Sequence, residues 1–169
     1  QVMAKAVLIT GGNRGDVRAL LRRAAGLIGE RIGRIVRSSA CYESAPWGFR
    51  AEQSFWNQVL EVETPLHPEE LLEAVLSVEA ELGRDRVQEG LEKASTGERY
   101  ASRTLDVDIL FYDDEVICTP RLEIPHPRLG GREFVLRPLC ELMPERRHPV
   151  TGERMRDVLK ALEENERRD

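Results

Sequence analysis

Two aspartates in one short apolar segment are the strongest sign of chemistry in this sequence. Asp106 and Asp108 alternate with the apolar residues Leu105, Val107 and Ile109. If the segment is a β-strand, both carboxylates lie on one face and the apolar side chains lie on the other. Aspartate is disfavoured in strands, and two like charges about 7 Å apart repel unless a positive charge lies between them. The pair therefore predicts a cation site, with a solvated sheet face as the structural alternative.

Magnesium is the cation that this pair fits best. Mg²⁺ takes oxygen ligands, often one or two carboxylates, and fills its octahedron with water and phosphate oxygens. Zinc is not expected, because Cys41, Cys118 and Cys140 are widely spaced and form no CxxC pair. Their odd number also argues against a disulfide framework. We interpret all three cysteines as reduced thiols in the core.

Arginines lie on both sides of the acidic segment in the sequence. The set is Arg84, Arg86, Arg99, Arg103, Arg121 and Arg132. Guanidinium groups fit phosphate oxygens bidentately, and only three lysines occur in the whole chain. Any single arginine of this set is more simply explained as a surface ion pair. The group beside a metal pair nevertheless predicts a polyphosphate site, and the absence of a GxxxxGK[ST] sequence shows that it is not a P-loop.

Several other residues are weaker candidates for a ligand site. The glycine-rich segment at residues 11–16 is explained by the backbone needs of a strand-to-helix turn. His126, between two prolines, is more simply a turn residue, although its fixed backbone would hold an imidazole at the edge of a site. A flat heterocycle needs aromatic faces and an amide that reads its edge, which Phe55, Phe134 and Asn57 could supply. The alternative for the aromatic residues is the hydrophobic core.

The apolar periodicity places these residues on a predicted α+β fold. Strands are predicted at residues 6–9, 35–42, 55–62, 105–111 and 116–118, and helices at residues 17–28, 68–82 and 155–164. Gly29 is expected to end the first helix, and a turn at residues 113–114 to join the last two strands as a hairpin. The core order is then βαββαβ. This order predicts a ferredoxin-like sandwich: a mainly antiparallel sheet, helices packed on one face and an extra β-hairpin.

Composition and chain length limit the class of protein. We predict one domain over residues 3–169, and we interpret Gln1 and Val2, which precede Met3, as a remnant outside the natural chain. The net charge of −5 and the mixing of charges along the chain argue against nucleic-acid and membrane partners. No segment resembles a membrane helix or a secretory signal. We therefore expect a cytoplasmic monomer. Residues 87–98 lack apolar periodicity and are interpreted as an inserted mobile lid.

Taken in order, these motifs resemble the 6-hydroxymethyl-7,8-dihydropterin pyrophosphokinase family over nearly the whole chain. The resemblance is carried by residues 11–16, 42–48, 55–57, 79, 83–86, 103–110, 125–127 and 132–136. The acidic strand and the His-Pro loop are its most specific parts. The resemblance implies an enzyme of folate biosynthesis that transfers the β,γ-pyrophosphate of ATP to the hydroxymethyl group of a reduced pterin and releases AMP.

The resemblance also implies roles for individual residues. Asp106 and Asp108 would bind two Mg²⁺ ions that bridge the ATP phosphates, and Arg86 and Arg103 would complete the catalytic group. The nucleotide site is expected to include Glu79, Arg84, Arg86, Arg99, Arg103, Ile109, Arg121, His126 and Arg132. The pterin pocket is expected to include Ser44, Ala45, Pro46, Gly48, Phe55, Asn57 and Phe134. In that pocket the ring would stack between Phe55 and Phe134, with Asn57 hydrogen-bonded to its edge.

The sequence departs from the family pattern at one segment, and two other functions are alternatives to this interpretation. Many members of the family carry Arg-Trp-Gly-Pro-Arg before the acidic strand, whereas residues 99–103 here are Arg-Tyr-Ala-Ser-Arg, so the division of the lid role between Arg86 and Arg99 stays open. A ferredoxin-like RNA-binding module would need exposed aromatic and basic residues where this chain has Asp106 and Asp108. A regulatory domain that senses a small molecule would bind its ligand without turnover. Release of AMP from ATP, Mg²⁺ and the reduced pterin distinguishes the enzyme from both.

Overall fold

The structure is a computed structural model of the 169-residue chain. It describes residues 2–13, 15–44, 54–83 and 105–168. The predicted insertion at residues 87–98 therefore lies outside the described residues, as does most of the loop that follows residue 44. No helix in the described part of the chain is long and apolar enough to cross a membrane.

The main sheet contains five strands, and every pairing in it is antiparallel. The strands are β1 (Ala4–Gly12), β2 (Arg34–Ser38), β3 (Tyr42–Ser44), β4 (Phe55–Thr64) and β5 (Asp106–Tyr112). Their order is β2-β4-β1-β5, and the short β3 also pairs with β4. The prediction of a mainly antiparallel α+β fold is confirmed.

Helices cover both faces of this sheet. The helices are α1 (Val17–Arg31), α2 (Pro68–Gly83), α3 (Glu133–Leu142) and α4 (Met155–Arg168). In β1, Ala6 and Leu8 join a core cluster with α1 and α2, whereas Val7 and Ile9 join a second cluster with α3 and α4. We call these the first and the second face of the sheet. The prediction of helices on one face only is therefore wrong, and residues 6–9 of β1 are continuously apolar because they are buried on both sides.

The helix α3 was not predicted from the sequence. It contains Pro138, which removes a backbone N–H donor and normally argues against a helix interior. Burial outweighs that cost, because Val135, Leu136 and Leu139 are all almost completely buried in the second cluster. Tertiary packing thus decides the structure of this segment.

The helix α1 continues beyond its predicted end at Gly29. Asp16 caps its N-terminus, where the side chain accepts a hydrogen bond from the amide of Ala19 at 3.1 Å. Compared with alanine, a glycine in a helix interior lowers helix stability by roughly 1 kcal/mol, and α1 continues through Gly29 despite this cost. The chain turns at Gly33, where a Cβ would lie 2.0 Å from the carbonyl oxygen of Glu63. Only a residue without a side chain allows β2 to begin this close to β4.

Two predicted strand arrangements differ from the structure. The predicted strand 35–42 is divided into β2 and β3 around Ser39, whose hydroxyl accepts a hydrogen bond from the amide of Val59 at 2.9 Å. The predicted hairpin between β5 and residues 116–118 is wrong. Instead, β6 (Ile117–Cys118) pairs with β7 (Glu123–Ile124).

The turn after β5 explains why no hairpin forms with that strand. Asp113 has a left-handed φ of 48°, and it exchanges hydrogen bonds of 2.8 Å with the backbone of Lys5 on β1. At the outer edge of β5, the backbone amide of His126 instead donates a hydrogen bond of 3.1 Å to the carbonyl oxygen of Leu110. The sheet edge is therefore covered by the proline-flanked loop rather than by β6.

The cysteines only partly match their prediction. Burial raises the pKa of Cys140 to about 11, as expected for an unreactive core thiol. Cys41 is half-buried and packs against the first cluster. Cys118 is exposed on the short strand β6, so its assignment to the core is wrong.

Candidate functional site

Three strands bring the candidate residues to one end of the second sheet face. Gly11 of β1 lies opposite Asn57 of β4 on one side and opposite Asp106 of β5 on the other. Paired residues in antiparallel strands project from the same face of a sheet. Because neighbouring strands are about 5 Å apart, Asn57 and Asp106 are separated by roughly 10 Å of sheet with a glycine between them. An amide and a carboxylate therefore project from the same face of the sheet, at a separation that a small ligand can span.

Gly11 makes room for the amide of Asn57. A Cβ at residue 11 would lie 2.3 Å from the side-chain nitrogen of Asn57, far inside contact distance. That nitrogen donates a weak hydrogen bond of 3.4 Å to the carbonyl oxygen of Thr10. The side chain of Asn57 thus extends over β1, and the glycine is needed there for this close approach.

The predicted alternation of Asp106 and Asp108 with apolar residues is confirmed. Asp106 is exposed and Asp108 is partly exposed, whereas Val107 and Ile109 are buried in the first cluster. Further along β5, the register with β1 shifts by one residue, so that Leu110 and Phe111 both pack in the second cluster. One strand therefore has two carboxylates at its start and two consecutive core side chains further on.

The start of β5 is held by Glu79 of α2. Its carboxylate accepts a hydrogen bond of 2.7 Å from the amide of Val107, the residue between the two aspartates. Glu79 reaches this amide from the helix on the first face of the sheet. It therefore fixes the backbone that carries Asp106 and Asp108.

The two aspartates fit a magnesium ion that is carried on a polyphosphate. Among the described residues, no group of three or more His, Cys, Asp or Glu side chains could hold a metal ion. Mg²⁺ needs only one or two protein carboxylates when phosphate and water oxygens complete its shell. The exposed position of Asp106 and the partial exposure of Asp108 allow such a shared shell.

His126 and Arg132 lie close to Asp108. Burial lowers the pKa of His126; the charge of Asp108 opposes this effect, and the charge of Arg132 reinforces it. The Nδ1 atom of His126 accepts a hydrogen bond from the amide of Arg128 at 3.2 Å, which leaves the proton of the neutral ring on Nε2. The guanidinium of Arg132 lies 5.5 Å from the ring centroid of Phe134. The structure thus brings an acid, an imidazole, a guanidinium and an aromatic ring together.

The other pterin candidates line the same end of β4. Phe55 is 36% exposed, although it is a large apolar side chain. Ser44 of β3 lies opposite Phe55, and Tyr42 lies opposite Asn57. Phe134 is half-buried at the start of α3 and packs against the second cluster. Phe55, Ser44 and Tyr42 thus lie beside Asn57 in the sheet, and Phe134 belongs to the helix that packs on the same face.

Two nucleotide candidates lie elsewhere in the structure. The side chain of Ile109 is buried in the first cluster, so only its backbone could contact a ligand on the second face. The guanidinium of Arg121 pairs with Glu73 and Glu69 of α2, and these acids raise its pKa. Seven further candidates lie outside the described residues: Ala45, Pro46, Gly48, Arg84, Arg86, Arg99 and Arg103.

Comparison with known proteins identifies the family. The sequence model of 7,8-dihydro-6-hydroxymethylpterin-pyrophosphokinase (HPPK) matches residues 7–144. The chain belongs to this family. Curated relatives named 2-amino-4-hydroxy-6-hydroxymethyldihydropteridine pyrophosphokinase occur in several bacteria. The Porphyromonas gingivalis protein is 36% identical over 84% of this chain and 92% of its own length. The Aquifex aeolicus protein is 39% identical, over 88% and 86%.

Solved structures agree in fold. An HPPK-DHPS crystal structure in complex with substrates superposes with a TM-score of 0.74 over the whole of this chain, at 14% identity. Wild-type Plasmodium falciparum HPPK-DHPS gives 0.72 at 17% identity. This chain spans 45% of each of those longer chains. The matches favour neither the RNA-binding nor the sensor alternative.

Proposed function

We propose that Asp106 and Asp108 are the centre of the reaction that this chain catalyses as a member of its family. That reaction transfers pyrophosphate from ATP to the hydroxymethyl group of 6-hydroxymethyl-7,8-dihydropterin, a step of folate biosynthesis. The observation that carries the assignment is the row formed by Asn57, Gly11 and Asp106 across three strands. It supports a pterin beside β4 and a polyphosphate beside β5.

Asp106 and Asp108 would hold Mg²⁺, and we propose two ions for each bound ATP. Mg²⁺ bound there would supply positive charge to the phosphates. The role of the chain is to present two carboxylates on one rigid strand. Glu79 supports this role, because it hydrogen-bonds the amide between them.

The remaining nucleotide contacts are assigned to cationic and imidazole side chains. His126 would donate from Nε2 to a phosphate oxygen, and Arg132 would add a guanidinium beside it. We propose Arg86 and Arg103 as further catalytic residues. The other proposed nucleotide contacts are Glu79, Arg84, Arg99, Ile109 through its backbone, and Arg121. To reach a phosphate, Arg121 would exchange its ion pairs with Glu73 and Glu69 of α2 for that contact.

The pterin would lie between Phe55 and Phe134. Asn57 would hydrogen-bond the edge of the ring, because its amide both donates and accepts. Ser44 would border the ring from β3, and the pocket would be completed by Ala45, Pro46 and Gly48. Phe55, exposed at the end of β4, offers the aromatic face that such stacking requires.

The chemical step needs positioning more than covalent help. The pterin hydroxyl oxygen bonds to the β-phosphorus and releases its proton to solvent water, while the bond from that phosphorus to the α,β-bridging oxygen breaks and AMP leaves. Holding the attacking hydroxyl oxygen in line with the bond that breaks contributes much of the rate enhancement in such reactions. A sheet that fixes Asn57 and Asp106 on either side of Gly11 is suited to this task.

We also propose a finer fold class, an oligomeric state and a cellular location for this chain. The order β2-β4-β1-β5, in which β4 lies between β1 and β2, supports a ferredoxin-like core. We propose that residues 3–169 form one pyrophosphokinase domain that works as a cytoplasmic monomer. Its net charge of −5 supports the absence of a nucleic-acid partner.

Substitution of the aspartates tests the proposal. Asp106→Asn and Asp108→Asn should each lower AMP formation about a hundredfold or more, since removing transition-state charge stabilisation costs roughly 3–4 kcal/mol. The assay contains ATP, Mg²⁺ and the reduced pterin. The matched control is Asp114→Asn, because that carboxylate is 90% exposed in a turn away from the row. Near-normal turnover in both variants would disprove the metal assignment.

A further inference from the structure

The C-terminal end of α3 is joined to the segment before β3 by one carboxylate. Glu141 accepts a hydrogen bond of 2.7 Å from the hydroxyl of Tyr42 through Oε1. The backbone amide of Ala40 donates to the same carboxylate, at 3.2 Å to Oε1 and 3.3 Å to Oε2. Both carboxylate oxygens therefore bind the amide of Ala40 just before β3, and Oε1 also binds the first residue of β3.

The position of Glu141 on its helix is unfavourable by itself. It is the last residue but one of α3, where the helix dipole disfavours a negative charge. The bonds to Ala40 and Tyr42 supply donors that offset this effect. The hydrogen bond to Glu141 is also the main cause of the raised pKa of Tyr42, as expected for a phenol that donates to a carboxylate. A carboxylate at this position therefore has a specific contact to maintain.

The same contact joins two walls of the proposed pterin pocket. Phe134 lies seven residues before Glu141 on α3, which places both side chains on one helix face about 10 Å apart. On the strand side, Tyr42 lies opposite Asn57, and Ser44 lies opposite Phe55. The strand β3 has only three residues, so its pairing with β4 is a short restraint. Glu141 adds a second restraint, from the helix that carries Phe134.

We propose that Glu141 is a positioning residue for the pterin: it fixes β3 and α3 relative to each other, and thereby sets the gap between Phe134 and the pair Asn57 and Ser44. This inference rests on the pterin pocket proposed above. Glu141 itself does not touch the substrate. Its loss should therefore widen the pocket without affecting the two aspartates on β5.

Ligand affinities measured by calorimetry test the inference. Glu141→Ala should weaken binding of 6-hydroxymethyl-7,8-dihydropterin about tenfold, measured with Mg²⁺ and a non-hydrolysable ATP analogue, and should leave the affinity for the analogue unchanged. In steady-state assays KM for the pterin should rise while kcat changes little. Glu141→Gln should restore most of the affinity, because its amide oxygen still accepts the hydroxyl of Tyr42.

Two controls separate positioning from general stability. Gly33→Ala should destabilise the fold at a remote turn without changing the pterin affinity, because the three atoms nearest to its Cβ belong to the backbone of residues 63 and 64. Tyr42→Phe should weaken pterin binding in the wild-type background and have no further effect in Glu141→Ala.

The outcomes distinguish this inference from the proposed function. If the wild-type protein forms no AMP from ATP and the reduced pterin, the proposed function itself is wrong. If it forms AMP but Glu141→Ala keeps full pterin affinity, only the positioning role is wrong. An equal loss of pterin and nucleotide affinity would also overturn the positioning role, because it would indicate general structural damage.

Discussion

The substitution Gly11→Ala should weaken pterin binding without unfolding the protein. The added methyl group would lie 2.3 Å from the side-chain nitrogen of Asn57. That nitrogen must retreat by about 1 Å to reach the ordinary contact distance of 3.4 Å. Gly11 is not one of the glycines with positive φ, so alanine is compatible with the backbone there. The strain therefore falls on the flexible side chain of Asn57 rather than on β1.

The magnitude follows from the hydrogen bonds that Asn57 would lose. A displacement of 1 Å breaks a hydrogen bond, and each buried polar group left without its partner costs about 1–3 kcal/mol. This corresponds to an affinity loss of roughly 5- to 150-fold. Nucleotide affinity should change little, because the phosphates are assigned to the other end of the row, beside Asp106. Calorimetric titration with each ligand measures both quantities.

Two further variants complete this experiment. In an Asn57→Ala background, Gly11→Ala should have almost no additional effect, because the side chain that it displaces is gone. Gly29→Ala is the matched control, since its Cβ would meet nothing within 4 Å in an exposed part of α1. Unchanged pterin affinity in Gly11→Ala, with the fold intact, would refute the role assigned to Asn57.

Three other outcomes are expected. Phe134→Ala should weaken pterin binding on the order of tenfold through loss of stacking, with a smaller change for ATP, and an equal loss by calorimetry would contradict the stacking role. Gly33→Ala should lower the free energy of unfolding by about 1–3 kcal/mol in thermal melts, because its Cβ would meet the Glu63 carbonyl, whereas Gly29→Ala should not lower it. Burial lowers the pKa of His148, and its Nδ1 accepts from the amides of Val150 and Thr151, so the neutral ring is the folded form. The stability that this form contributes should be complete above about pH 6.5 and lost as the pH falls below it. Denaturant titrations of His148→Gln should show a weaker pH dependence over that range, and an unchanged dependence would exclude His148 as its source.

The sequence predicted the local arrangement of the acidic strand better than its surroundings. Alternation alone placed Asp106 and Asp108 on one face, because strand geometry is local. The row with Gly11 and Asn57 could not be predicted, because register depends on strand pairing far apart in the sequence. Glu141 was missed for the same reason: its partners lie 99 and 101 residues away.

Two errors in the predicted fold have particular physical causes. The helix α3, one of the two helices on the second face, was missed because of Pro138, since the packing that outweighs the proline involves distant residues. Asp113 resembled a hairpin turn, but its hydrogen bonds with Lys5 direct the chain away from β5. In both cases a correct local rule was overridden by contacts between distant parts of the chain.

The second face of the sheet has a buried end and an exposed end, and the same strands contribute to both. Ile9, Val59 and Phe111 are almost fully buried, whereas Phe55 and Asp106, on the same strands or their neighbours, are exposed. Tolerance to mutation should therefore change sharply within a few residues of one strand. Exposed positions usually change stability by no more than about 0.5 kcal/mol. Variants selected to bind altered pterin substrates could then accumulate substitutions around Phe55. The buried residues at the other end of the same strands would keep these variants folded.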